Sequence, residues 1–117
     1  MKYLISNTEL NGQKVDIAIA DGVIADIGSN LSREGYEVVD GHQTIALQGL
    51  VDLHTHLREP GKEDSETVAT GSRAAAKGGF TAVSAMANTS PVADTAGVVE
   101  QVCRLGQECG LSAVFPI

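Results

Sequence analysis

Three segments of the chain are apolar almost without interruption: Leu50 to His56, Phe80 to Ala87 and Leu111 to Ile117. Strands that are apolar on both faces are typical of a parallel sheet covered by helices. Helical spacing fills the two gaps. Asp64 or Ser65 is expected to cap a first helix through Val68, Ala74-Ala75-Ala76 and Lys77, with Gly78-Gly79 as its stop. Asp94 is expected to cap a second, in which Val98, Val102, Leu105 and Cys109 form one apolar stripe before Gly110. The order is β-α-β-α-β, and right-handed crossovers would set the three strands side by side.

Residues 1–48 follow a different period. Lys2 to Leu10 alternates imperfectly, and Asn11-Gly12 is a strong hairpin signal. Val15, Ile17 and Ile19 alternate with Asp16, Ala18 and Ala20, as in a half-buried strand. Asp21-Gly22 marks a second hairpin, with Val23 to Ile27 returning. Asn30 to Gly35 is a polar loop. Tyr36 to Asp40 and Thr44 to Leu47 read as two more short strands around Gly41-His42. The fold expected is α/β, with a small β-sheet segment over 1–48 and a βαβαβ segment over 49–117. Such a small sheet buries one face at best and calls for a partner surface.

A chain of 117 residues can hold one ordinary domain. It cannot hold a complete (β/α)8 barrel, which needs about 250 residues. The last apolar strand would leave a bare parallel edge with unpaired backbone groups. The expectation is therefore the front portion of a longer protein, with an incomplete barrel. Acidic residues outnumber basic ones 15 to 8, for a net charge of −7. That balance, with no basic run, argues against nucleic acid and anionic membranes as partners. No window is long and apolar enough to span a bilayer. Cys103 and Cys109 make neither a disulfide framework nor a metal pair, and read as small buried or half-buried thiols in a reducing compartment.

The chemistry concentrates at the end of the first apolar strand. His54 and His56 are two residues apart, so in a strand both imidazoles project to one side and suit one metal ion. By itself such a pair also fits two exposed or hydrogen-bonded histidines. Its place at the C-terminal end of a hydrophobic strand, before a helix, is where barrel enzymes build their active sites. Arg58 would share that side if the extended geometry persists, and its planar fork can grip an anion. Asn88 ends the second strand, where its amide would lie near Arg58. It also suits a plain turn before Ser90-Pro91. Asp52 either orients a histidine through its second nitrogen or is a capped polar residue in the floor. His42 reads as a surface histidine. Glu59, Lys62, Glu63, Asp64 and Lys77 read as solvated charge.

Gly49-Leu50-Val51-Asp52-Leu53-His54-Thr55-His56-Leu57-Arg58-Glu59-Pro60-Gly61 resembles the signature of dihydroorotases of the amidohydrolase superfamily. Gly78-Gly79-Phe80-Thr81 and Met86-Ala87-Asn88-Thr89 extend the likeness, and residues 1–48 resemble that family's N-terminal β segment. Gln48 and Ala87 stand where such families often carry proline.

The resemblance implies a TIM-type barrel and the interconversion of N-carbamoyl-L-aspartate and L-dihydroorotate in pyrimidine biosynthesis. It implies His54 and His56 as zinc ligands, with one or two ions in a complete active site. Arg58, Asn88 and His56 would hold the substrate. The remaining ligands and the aspartate general base would lie on later strands, so no residue here is assigned the catalytic role and the isolated chain should be silent. A cytoplasmic enzyme acting on a small molecule is implied, as a homo-oligomer or with another pyrimidine-pathway enzyme as partner. Two rivals remain: a hydantoinase- or allantoinase-like cyclic amidase, and a non-catalytic scaffold subunit.

Overall fold

The structure is a computed structural model describing residues 1–117. The chain divides into two compact units, Met1–Gln48 and Gly49–Ile117.

In the first unit, β1 (Lys2–Leu10), β2 (Gln13–Ala20), β3 (Val23–Gly28) and β4 (Glu37–Asp40) form a sheet in the order β3-β2-β1-β4. The two hairpins are antiparallel, and β4 runs parallel to β1. Asn11 (φ 51°) with Gly12 (φ 79°), and Asp21 (φ 51°) with Gly22 (φ 82°), take the paired positive φ of a tight turn matched to strand twist. The register of β1 on β2 shifts between Ile5 and Thr8, where Asn7 has φ 61°. Asp16 secures this irregularity. One carboxylate oxygen accepts the Asn7 N–H at 2.8 Å and the other accepts the Leu31 N–H at 3.0 Å.

The expected strand over Thr44 to Leu47 does not form. Only Ile45 bridges Glu9, through the Glu9 N–H to Thr44 O (2.9 Å) and the Ala46 N–H to Glu9 O (2.7 Å). β4 already occupies that edge of β1 from Tyr3 to Ser6. β1 then ends at Leu10, too soon for a second ladder.

In the second unit, β5 (Leu50–Thr55), β6 (Phe80–Ala85) and β7 (Ala113–Pro116) are parallel, in the order β5-β6-β7. Helices α1 (Val68–Lys77) and α2 (Ala96–Cys109) make the crossovers. The core joins Leu57, Val68, Val83, Ala85, Val102 and Val114, with Phe80, Ala75 and Leu105 packed against it. Helix α2 lies so close to β7 that a Cβ on Gly106 would stand 2.6 Å from the Cβ of Val114.

Neither helix is capped where the sequence suggests. α1 starts after Thr67, whose hydroxyl accepts the Thr70 N–H at 3.1 Å while Thr70 Oγ1 accepts the Thr67 N–H at 2.9 Å. Glu59, read above as solvated, accepts the Val68 N–H at 2.8 Å. Reciprocal capping by two threonines, plus a carboxylate from nine residues upstream, moves the start beyond Asp64 and Ser65. α2 starts after Thr95, which makes no side-chain capping bond, so Asp94 stands outside the helix. At the C-terminal ends, Gly79 (φ 84°) and Gly110 (φ 61°) take the left-handed conformation that glycine tolerates.

Candidate functional site

The C-terminal ends of β5 and β6 bring the chemistry together. His54 lies inside β5, and His56 follows directly after its last residue, Thr55. Their imidazoles meet edge-on, with ring centroids 5.1 Å apart and planes at 69°. The next residue, Leu57, is 3% exposed and anchors the chain in the core just beyond the second imidazole. Asp52 accepts the His54 backbone N–H at 2.9 Å. It therefore braces the strand end, and no bond reaches an imidazole from it.

Asn88 comes to the site from the segment after β6. Its Oδ1 lies 2.8 Å from His56 Nδ1. The turn that presents it is closed by the Thr89 N–H to Ala87 O (2.8 Å) and the Ala93 N–H to Ala87 O (3.0 Å). The segments after β5 and β6 are also tied directly. The Met86 N–H donates to Thr55 O and the Ser90 N–H to Pro60 O, both at 2.9 Å. Gly61 (φ 101°) is pressed so close that a Cβ there would meet the Ser90 carbonyl oxygen at 2.1 Å. Only glycine fits on both counts.

Arg58 departs from its expected geometry. The extended backbone ends before it, and φ is 63°, a left-handed conformation that costs a non-glycine residue about 1–2 kcal/mol. Its carbonyl accepts the Lys62 N–H at 2.9 Å, which closes the turn. Arg58 as a residue is half-buried, and its guanidinium takes part in neither of the chain's two ion pairs. Asn88 bonds to His56, a contact the spacing did not foresee. The alternation rule fails because the turn begins inside the motif.

Glu63 Oε1 accepts the Gly61 N–H at 2.8 Å. That bond, with one from its own backbone N–H, lowers the carboxyl pKa below the usual 4.5. His42, in the first unit, is exposed with Nδ1 3.0 Å from Asn7 Nδ2. Cys103 and Cys109 are free, half-buried thiols.

The site's donor set fits two positions of a zinc ion: two neighbouring imidazoles, one with its Nδ1 already engaged. No group of three or more His, Cys, Asp or Glu side chains gathers anywhere in the chain to complete a metal cage.

Residues 43–116 match the family described as Dihydro-orotase-like. The chain belongs to this family. It is 65% identical over 108 residues to the dihydroorotase of Streptomyces coelicolor, covering 92% of this chain and 25% of that enzyme. The dihydroorotase of Leifsonia xyli subsp. xyli is 63% identical over 107 residues, covering 92% of this chain and 24% of the enzyme. The chain thus spans about a quarter of the length of these dihydroorotases. Among solved structures, a D-hydantoinase superposes with a TM-score of 0.70 at 26% identity, covering 99% of this chain and 26% of that one. The L-hydantoinase of Arthrobacter aurescens superposes with a TM-score of 0.76 at 23% identity, over 89% of this chain and 24% of that one, which is a likeness of fold alone. The dihydroorotase-like chain shares with such folds a mixed sheet followed by a parallel βαβαβ sheet. No helix in it is long and apolar enough to cross a membrane.

Proposed function

We propose that these residues form the front of a dihydroorotase, which interconverts L-dihydroorotate and N-carbamoyl-L-aspartate in pyrimidine biosynthesis. The observation that carries this reading is the His54–His56 pair at 5.1 Å with Asn88 bonded to it, at the shared C-terminal end of two parallel strands. In this reading residues 1–48 are the N-terminal β segment, and 49–117 begin a (β/α)8 barrel whose mouth is that strand end.

His54 and His56 would hold zinc, one or two ions per complete site, with further ligands and the general base supplied from elsewhere in the whole enzyme. Zinc supplies water activation and carbonyl polarisation. The chain's own residues bind and orient. Arg58, whose guanidinium is unpaired, receives the substrate carboxylate through its two-pronged fork. The Asn88 amide nitrogen donates to the same carboxylate, with the His56 ring beside it. Holding the carboxylate fixes the ring so that one amide carbonyl faces the two imidazoles. With two metal ligands and no general base, the 117 residues alone are silent. The working enzyme is placed in the cytoplasm, as a homo-oligomer or beside another enzyme of the pathway.

The superposed hydantoinases raise a second reading, a related cyclic amidase. Hydantoins lack the free carboxylate that Arg58 and Asn88 would grip, and identity to dihydroorotases reaches 65% against 26% to the D-hydantoinase. The test is Arg58→Ala in the complete protein. Loss of a charge-assisted contact worth about 3 kcal/mol lowers kcat/KM for dihydroorotate roughly 100-fold, with zinc retained. Loss of zinc with turnover preserved would refute the assignment.

A further inference from the structure

We propose that Asn88 is a positioning residue for His56: its Oδ1 holds the proton on Nδ1, leaving the Nε2 lone pair for the metal. This rests on the zinc reading above. An amide oxygen only accepts, so the Nδ1 that faces it at 2.8 Å must carry the hydrogen. A neutral imidazole so protonated has its lone pair on Nε2, the nitrogen left to coordinate. The His54 ring has no hydrogen-bond partner in the chain, so the two imidazoles are not equivalent.

The contact is built in. His56 is held by Leu57 in the core, and Asn88 by the backbone bonds closing the turn from Ala87 to Ala93. The Ser90 N–H to Pro60 O bond at 2.9 Å fixes the two segments against each other. Asn88 therefore meets His56 as part of the scaffold, before any ligand arrives. Its Nδ2 makes no bond within the chain and keeps its donors for an anion. One amide then serves two ends of the site, the ring with its oxygen and the substrate with its nitrogen.

Two variants of the complete protein separate these roles. Asn88→Asp keeps an acceptor for Nδ1 and loses the donors, whereas Asn88→Ala loses both. The protein is labelled with 15N-histidine and stripped of metal, and the His56 resonances are assigned by loss in His56→Gln. At a pH where the ring is neutral, the shifts report which nitrogen bears hydrogen. Zinc affinity is read by chelator competition and substrate affinity from KM. Wild type and Asn88→Asp should show the Nδ1–H form of His56. Asn88→Ala should move toward Nε2–H and lose zinc affinity about 10–100-fold. Asn88→Asp should retain zinc and raise KM.

An Nε2–H ring in wild type would overturn the proposal. So would an Asn88→Ala protein with unchanged tautomer, or with unchanged zinc affinity. Because the tautomer is read without metal, a wild type that binds no zinc would refute the dihydroorotase reading separately.

Discussion

Helix α2 carries two glycines whose replacement by alanine should have opposite effects. Gly97 lies in the first turn with nothing within 4 Å of a built Cβ. Gly97→Ala gains helix propensity at no steric cost, worth about 0.5–1 kcal/mol. Gly106 offers the same gain, but its Cβ would stand 2.6 Å from Val114 Cβ and 2.8 Å from Val114 Cγ2. Carbon atoms in contact prefer about 3.5–4.0 Å, so the overlap is about 1 Å. Because the nearest atom is a Cβ, no rotamer of Val114 relieves it. The helix must back away from β7, loosening Val102 and Leu105 from the core.

Overpacking of this kind costs about 1–3 kcal/mol. Set against the propensity gain, Gly106→Ala is destabilising by about 1–2 kcal/mol. Amide exchange along the β6–β7 ladder in the complete protein is the assay, since local opening free energies read out there. Tenfold faster exchange corresponds to about 1.4 kcal/mol, so Gly106→Ala should speed the ladder about five- to thirtyfold. Gly97→Ala should slow exchange in α2 a few-fold. If Gly106→Ala protected the ladder as Gly97→Ala protects α2, the close approach of α2 to β7 would be wrong.

Ser72 is fully buried and its hydroxyl has no partner, so Ser72→Ala should raise stability by about 1 kcal/mol in urea titration. Glu59→Ala removes the acceptor of the Val68 N–H and should cost about 1–2 kcal/mol, read as faster amide exchange in the first turn of α1. The Glu63 pKa is lowered in the folded chain, so its hold on Gly61 is complete above the usual 4.5 and is lost as the pH falls through the lower folded value. Protection of the Gly61 amide, corrected for intrinsic rates, should fall over that acid range, and Glu63→Gln should abolish the dependence.

What the sequence made legible was local. Asn11-Gly12 and Asp21-Gly22 set their own turns, and apolar continuity marked β5, β6 and β7, although Leu50, Val51, Leu53 and Phe115 are exposed in this chain. What it hid depends on partners distant along the chain. The start of α1 is set partly by Glu59, nine residues before the N–H it caps. Thr44 to Leu47 has strand-like residues, but the neighbour it needs is already taken by β4. At the site, spacing foresaw the paired imidazoles because a period of two is a property of the strand itself. The condition it set for Arg58, an extended backbone that persists, fails because the strand ends sooner than the motif. It did not foresee that Asn88 would bond to His56, because the turn after β6 and its pairing with the segment after β5 decide which side chains meet.

The seam between Gly61 and Ser90 bears on how such a site can be changed. There is no space there for a single methyl group, so neither segment can be re-spaced or given bulk without displacing the other. Transplanting the histidine-bearing segment into a foreign scaffold would succeed only if residues 88–91 travelled with it. Inherited variation at one strand tip should accordingly be matched by variation at its neighbour.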